Sequence, residues 1–213
     1  RDTTSITATS QGDAGISALA TVITEATGQP GNYPWYEPFA DSDWFTARWM
    51  LNIGAVLSEA ALLEPTEPYS LCLDGGNDTV VSQMIDLATR GDVIVSYYYQ
   101  KGGGGDIPEV NEDLYVEYKN EYGQWLTLNQ HLGGGDAMMS FEEVVIGLPD
   151  DAYHSQFQLR FISFGSCEQC DYWYVDDVRV DFAASIAVNP GSMDMSMMAN
   201  DSSDHELIIS NAG

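Results

Sequence analysis

The stretch DLYVEYKNEYGQWLTL, residues 113–128, decides the fold class of this chain. Leu114, Val116 and Tyr118 share one face of an extended backbone, and the three residues that follow them share the other. A side-chain period of two is typical of a β-strand that buries one face. The same alternation recurs in residues 157–161, where two phenylalanines and a leucine are separated by Gln158 and Arg160. Both segments therefore predict strands that lie on an apolar core.

Strand-like runs of this kind fill the middle of the chain, from residue 34 to residue 183. Loops rich in Gly, Asn, Asp and Pro separate them, as turn chemistry requires. We predict strands at 69–74, 80–87, 92–100, 113–119, 124–128, 141–148, 157–164 and 172–182. This number of short strands with little helix predicts an all-β, two-sheet antiparallel jelly-roll sandwich.

Strand-like extensions flank the predicted sandwich. Residues 1–33 are rich in Thr, Ser and Ala, and we interpret them as a linker or the tail of an upstream module that can supply a terminal strand. Residues 184–213 contain two strand-like segments, which are too few for an independent domain. We interpret them as the incomplete start of an immunoglobulin-like module.

The charge of the 213-residue chain is strongly negative. It has 33 Asp and Glu against 7 Lys and Arg, for a formal charge of −26. Such a chain repels nucleic-acid phosphates and anionic membrane surfaces, so we expect neither partner. No run approaches the roughly 20 apolar residues that span a bilayer, and we expect no direct membrane insertion. Carboxylates are ligands for hard divalent cations such as Ca²⁺, although surface solubility alone also explains many of them.

The three cysteines indicate the redox setting. Cys167 and Cys170 form a Cys-x-x-Cys pair, and Cys72 is left over. One such pair is weak support for zinc, which usually takes four ligands. We predict a small-ring disulfide between Cys167 and Cys170 in an oxidising, extracellular or cell-surface setting.

Three segments carry a resemblance to known modules: YSLCLDGGNDTVVSQMIDL (69–87), residues 92–128, and FQLRFISFGSCEQCDYWYVDDVRV (157–180). They resemble the jelly-roll sandwiches of reelin-type repeats and MAM-type adhesion modules in secreted bacterial proteins. The closing Val175-Asp176-Asp177-Val178 is similar to that of β-sandwich carbohydrate-binding modules. The resemblance implies a structural calcium that joins the first strand to the closing strand. Its ligands here would be Glu37, Asp41 and Asp43 together with Asp176 or Asp177.

Two further acidic segments are candidate calcium ligands. Asp74 and Asp78 flank a Gly-rich turn, where an Asx-type turn is the alternative. Asp106, Glu109 and Asp113 lie in a second acidic loop, where a solvated charge run is the alternative. No EF-hand loop is present in the sequence.

Aromatic side chains are the candidate ligand contacts. Tyr97 and Tyr99 share one face of a Tyr-Tyr-Tyr strand, and Tyr115 and Trp125 lie in the next predicted strands. Exposed aromatic rings commonly contact sugars and proteins, but core packing is the alternative for any one of them.

The sequence contains none of the hydrolase signatures Gly-x-Ser-x-Gly or His-Glu-x-x-His, so we do not expect an enzyme. We predict a non-catalytic, calcium-stabilised extracellular module for adhesion, which binds a glycan or an extracellular protein. Two alternatives remain open. One is a structural subunit of a fibre or surface layer that assembles with other copies of itself by strand exchange. The other is an accessory domain of a secreted hydrolase.

Overall fold

The computed structural model describes residues 2–9, 17–24, 35–41, 43–166, 168–183, 186–189 and 208–211. The chain divides into two compact units. One unit is Asn32–Phe182, and the other combines Arg1–Gly31 with Ala183–Gly213.

Nearly all regular structure is β. In chain order the elements are β1 Asp2–Thr9, β2 Ser17–Thr24, β3 Trp35–Glu37, α1 Trp44–Arg48, β4 Trp49–Ile53, β5 Val56–Ser58, β6 Ser70–Gly75, β7 Thr79–Ser82, β8 Val93–Lys101, β9 Leu114–Lys119, β10 Trp125–His131, β11 Glu142–Gly147, a 3-10 turn Asp150–Ala152, β12 Leu159–Ser163, β13 Glu168–Phe182, β14 Ile186–Asn189 and β15 Ile208–Asn211. Among the described residues, no helix is long or apolar enough to cross a membrane.

The larger unit is a sandwich of two antiparallel sheets, which confirms the predicted fold class. One sheet has five strands in the order β10-β9-β12-β7-β4. The other has the order β11-β8-β13-β6-β5, and β3 adds to β13 as its sixth strand. In the smaller unit, β1 pairs with β2 and β14 pairs with β15, in both cases antiparallel.

The inward faces of both sheets form one apolar core. Tyr97, Phe161 and Trp173 are among its largest side chains, and each is almost completely buried. Tyr97 meets Phe161 edge to face at 5.4 Å, so the core is joined across the two sheets by aromatic contacts. The core residues of β9 and β12 are those whose alternation the sequence displays.

The closing strand β13 organises the six-stranded sheet. It pairs with β8 along one edge. Along the other edge it pairs first with β6, as far as Val175, and then with β3 from Val178 onward. Asp176 and Asp177 lie between these two partners, where the register shifts. Asp177 has φ of +49°, as a β-bulge permits.

Some predicted boundaries differ from those in the structure. β7 ends at Ser82 rather than continuing to residue 87, and Ile85 forms a single bridge to Phe157. β4 and β5 were not predicted, because the edge strand β4 shows no alternation of buried and exposed residues. Beyond Trp49, every residue of β4 is exposed.

Candidate functional site

Asp176 and Asp177, in the closing strand, accept hydrogen bonds from other parts of the chain and do not contact the other predicted calcium ligands among the described residues. Asp176 Oδ2 accepts a hydrogen bond from the backbone N–H of Thr66 at 3.1 Å, and its Oδ1 accepts one from Asp177 N at 2.7 Å. Asp177 Oδ1 accepts hydrogen bonds from the hydroxyls of Tyr36 and Thr66. These contacts fasten β3 and the loop before β6 to the bulge in the closing strand.

Burial dominates the electrostatics of Asp176, whose side chain is fully buried. Desolvation raises its pKa to about 7, against the backbone hydrogen bonds that favour the charged form. The nearby charges of Asp177 and Glu64 raise the pKa further. Asp176 is therefore poised to change its protonation state near neutral pH.

The other predicted members of this calcium site lie elsewhere. Glu37 pairs in register with the core residue Val178 and accepts a hydrogen bond from Phe39 N at 2.9 Å. Burial raises the pKa of Glu37, and the guanidinium of Arg48 lies 3.8 Å away. Asp41 and Asp43 are exposed, and Asp41 accepts a hydrogen bond from the Asp43 backbone. Glu37 thus faces the core, whereas Asp176 lies under the loop on the opposite face of the sheet.

The second predicted site, the turn between β6 and β7, lines a cavity of about 630 Å³. Asp78 is buried and its Oδ2 accepts a hydrogen bond from Asp74 N at 2.8 Å. The Asp74 carboxylate accepts no hydrogen bond from the residues that the structure describes. Asp78 therefore stabilises the turn by a side-chain to backbone hydrogen bond, whereas Asp74 lies in the wall of the cavity.

The third predicted site divides between three environments. Asp106 is exposed and accepts a hydrogen bond from Ile107 N. Asp113 is buried and accepts hydrogen bonds from Gly133 N at 2.8 Å and from the Gln130 amide at 2.6 Å. The carboxylates of Asp106 and Asp113 therefore form hydrogen bonds that stabilise the loops around them. Glu109 alone joins a cluster of acids.

Glu109, Glu112 and Asp171 lie together, with one carboxylate oxygen of each within 4.8 Å of the others. They form the sole group of three potential metal ligands in the part of the chain that the structure describes. Glu109 and Glu112 share a hydrogen bond, which raises the pKa of Glu109 to about 7 and lowers that of Glu112 to about 2. Burial raises the pKa of Asp171. The sequence did not single out Asp171, because it belongs to β13 and is far from the loop along the chain.

The cysteines occupy different environments. Cys170 is disulfide-bonded, and Cys72 is a buried free thiol whose pKa is raised by desolvation. Cys167, the predicted partner of Cys170, lies outside the described residues.

Two of the four aromatic residues predicted to bind a ligand, Tyr97 and Tyr99, pack in or against the core. Tyr97 is completely buried, and its hydroxyl lies 2.8 Å from His131 Nε2, so its assignment as a ligand contact is corrected to a core residue. Tyr99 is half-buried and stacks on the His131 ring at 3.6 Å. Both rings point inward because they lie on the face of β8 that carries Val93 and Val95.

Tyr115 and Trp125 lie on the outer face of the five-stranded sheet. Tyr115 contacts Phe164 edge to face at 5.5 Å, and Phe164 is 43% exposed. Trp125 pairs in register with Lys119, which faces away from the core. We define the aromatic face by six residues of this surface: Tyr115, Glu117, Trp125, Gln130, Arg160 and Phe164.

Polar groups fix the rings of the aromatic face. The guanidinium of Arg160 lies 4.3 Å above the Trp125 ring and also forms an ion pair with Glu117. The Gln130 amide donates a hydrogen bond to the Tyr115 hydroxyl at 2.9 Å. Such contacts limit the rotamer freedom of the Tyr115 and Trp125 side chains. Alternation around Phe161 places Arg160 on this face, but its contacts with Trp125 and Glu117 depend on strands remote in sequence and were not predicted.

No family model and no curated protein matches this chain. Among solved structures, it is similar to two cleaved adhesin domains of Lys-gingipain. The K2 domain has a TM-score of 0.48 at 15% identity, with coverage of 70% of this chain and 98% of that domain. The K1 domain, from Porphyromonas gingivalis W83, has a TM-score of 0.47 at 11% identity, with coverage of 71% and 99%.

Carbohydrate-binding modules are also similar to this chain. The C-terminal family 22 module of a Clostridium thermocellum protein has a TM-score of 0.47 at 10% identity, with coverage of 73% of this chain and 98% of the module. The chain is thus similar to adhesin domains and to carbohydrate-binding modules alike.

Proposed function

We propose that this chain is a non-catalytic, extracellular β-sandwich module that binds a glycan through the aromatic face. The supporting observation is the arrangement of Tyr115, Trp125 and Phe164 on one sheet surface beside the polar groups of Gln130, Glu117 and Arg160. A sugar ring presents C–H groups on its faces and hydroxyls at its edge. Aromatic rings can pack on the former while amide, guanidinium and carboxylate groups bind the latter.

The charge state of the aromatic face favours binding over catalysis. Hydrolysis of a glycosidic bond commonly needs two carboxyl groups, one on each side of the scissile bond. The aromatic face contributes one carboxylate, Glu117, and that group is paired with Arg160. A carboxylate paired in this way can still accept hydrogen bonds from sugar hydroxyls.

The extracellular setting is supported by the disulfide at Cys170, because such bonds persist in oxidising compartments. We place the module in a bacterial surface or secreted protein, in the structural group of reelin-type, MAM-type and carbohydrate-binding sandwiches. Its role there would be adhesion.

We further propose that Ca²⁺ stabilises the module at Glu109, Glu112 and Asp171. Three carboxylates within 4.8 Å repel one another when ionised, and a divalent cation bound between them would relieve that repulsion. Oxygen donors from two acidic side chains of one loop and one of β13 suit Ca²⁺ chemistry. Such an ion would join the loop after β8 to the closing strand.

The glycan proposal is tested by affinity electrophoresis and calorimetry with soluble xylan and β-1,4-galactan as probes. Tryptophan is enriched among the binding residues whose truncation costs most, and a loss of about 1.4 kcal/mol is a tenfold change in affinity, so we expect Trp125→Ala to weaken binding by about tenfold. Tyr115→Ala should act in the same direction.

Tyr98→Ala is the matched control, because Tyr98 is a half-buried tyrosine on the outer face of the other sheet. It should leave the affinity unchanged. If both probes fail to bind, or if Tyr98→Ala weakens binding as much as Trp125→Ala does, the aromatic face is not the glycan site.

A further inference from the structure

The side of the sandwich where β4 joins β5 is exposed and apolar. β4 ends the five-stranded sheet and β5 ends the six-stranded sheet, so each has a described neighbour on one side only. We call residues 49–58 the open edge. Four of its side chains are large, apolar and about half exposed: Met50, Leu51, Ile53 and Val56.

The residues of the open edge lack the sequence features that usually protect an edge strand. Natural edge strands commonly carry charged residues or proline, which prevent pairing with another chain. The open edge, WMLNIGAVLS, has neither, although the whole chain has 40 charged residues. Unpaired backbone N–H and C=O groups beside apolar side chains favour the addition of an extended strand.

An acidic cavity lies at the end of the open edge. Ile53 and Val56 form part of its wall, and Asp74, Asn77 and Gln169 contribute polar side chains. Its volume is about 630 Å³, which is ample for a long side chain. No basic residue is found among the described residues that line it. The carboxylate of Asp74 accepts no hydrogen bond from the described part of the chain, so it is available to a donor from outside.

We propose that the open edge and this cavity together bind an extended polypeptide segment that carries a lysine or arginine. The segment adds to β4 as a further strand, its alternate apolar side chains pack on Leu51 and Ile53, and its basic side chain enters the cavity toward Asp74. An extended chain can pair with the backbone of β4, cover the apolar side chains and form an ion pair with the Asp74 carboxylate at the same time. A bound cation or an amino sugar would satisfy the carboxylate alone.

The probe is a ten-residue synthetic peptide of alternating valine and threonine with a lysine at one end. The comparison peptide has glutamate in place of that lysine. Isothermal titration with the full chain, in the presence of EDTA, should give at least tenfold tighter binding of the lysine peptide. Hydrogen exchange should show protection confined to the open edge and the cavity rim.

Two variants locate the binding site. Asp74→Asn should weaken the lysine peptide by about tenfold or more, as expected for loss of a charge-assisted contact, and should not weaken the glutamate peptide, from which it removes a repulsion. Ile53→Lys should abolish binding of the lysine peptide, and its unfolding midpoint should match the wild type because Ile53 is 54% exposed.

Matched controls separate a local site from the charge of the whole chain. Asp136→Asn removes one exposed carboxylate that does not line the cavity, and Val145→Lys alters an exposed apolar residue on the edge strand β11. Both should bind the lysine peptide as the wild type does. Equal weakening by Asp74→Asn and Asp136→Asn, protection outside the open edge, or tighter binding of a glucosamine oligosaccharide that the peptide cannot displace would each overturn the proposal. Pairing of two copies through β4 in sedimentation experiments would also overturn it.

Discussion

The Asp176 carboxylate accepts a hydrogen bond from the backbone N–H of Thr66 at 3.1 Å, from beneath the loop that leads into β6. Its neighbour Asp177 binds the hydroxyls of Thr66 and Tyr36. Adjacent acids at a β-bulge therefore serve as acceptors for two other segments of the chain. Because burial raises the pKa of Asp176, the stability of the sandwich depends on pH.

We predict that Asp176 destabilises the fold progressively as the pH rises from about 4 to about 7. Its pKa is about 7 in the folded state, against an ordinary value near 4, so the folded state holds this proton more tightly than the unfolded state. The contribution of Asp176 protonation to the free energy of unfolding is therefore largest below about pH 4 and is lost as the pH rises past about 7. One pKa unit corresponds to about 1.4 kcal/mol, so the full change is a few kcal/mol at most.

Urea unfolding of the wild type and Asp176→Asn across this pH range measures the effect. The free-energy difference between the two proteins should shift in favour of Asp176→Asn as the pH rises. A difference that is constant from pH 4 to pH 7 would contradict the prediction.

His131 should act in the opposite direction. Burial lowers its pKa to about 4, below the ordinary value of about 6.5, so the unfolded state binds the proton more tightly. Its neutral form lies 2.8 Å from the Tyr97 hydroxyl and stacks on Tyr99. Stability should therefore fall as the pH drops from about 6.5 to about 4. His131→Gln should be less stable than the wild type at pH 7, and the gap should narrow toward pH 4. A gap that widens on acidification would argue against a buried neutral histidine.

Chelation tests the calcium proposal. Ca²⁺ at a hundredfold excess over its Kd adds about 2.7 kcal/mol to a fold that binds it, so EDTA should lower the Tm by roughly 5–10 °C. The double variant Glu109→Gln, Glu112→Gln should lose this response, and Asp106→Asn, in the same loop, should retain it. No response in the wild type would refute the calcium proposal. A response that survives in the double variant would refute this location.

Gly54 supports the geometry of the turn between β4 and β5. It has φ of +82°, and a Cβ at this position would overlap the buried Asp78 carboxylate. Gly54→Ala should therefore cost more than about 3 kcal/mol, from backbone strain and displacement of Asp78. Gly123→Ala is the control, because Gly123 has φ of +77° but its nearest neighbour would be Lys119 Cε at 3.9 Å. It should cost about 1–2 kcal/mol in urea unfolding. If the two substitutions lowered the free energy of unfolding equally, backbone strain alone would explain both, and contact with Asp78 would contribute nothing.

The strands of the sandwich were predictable where one face is buried. The alternation at 114–118 matches the burial of β9, and that at 157–161 continues into β12. The open edge escaped prediction because a strand without a buried face has no such period. The bulge at Asp177 also escaped it, because it arises where β13 exchanges one neighbouring strand for another.

By itself, the sequence determined the all-β class and the acidic character, because side-chain period and charge are properties of neighbouring residues. Only the tertiary structure decided which carboxylates meet: Glu109 and Glu112 meet Asp171, whereas Glu37 faces the core away from Asp176. It also decided that Tyr97 is buried while Trp125 lies on the aromatic face. The path of the backbone sets the distance between residues remote in sequence, and the packing of two sheets determines which face of each strand is removed from water.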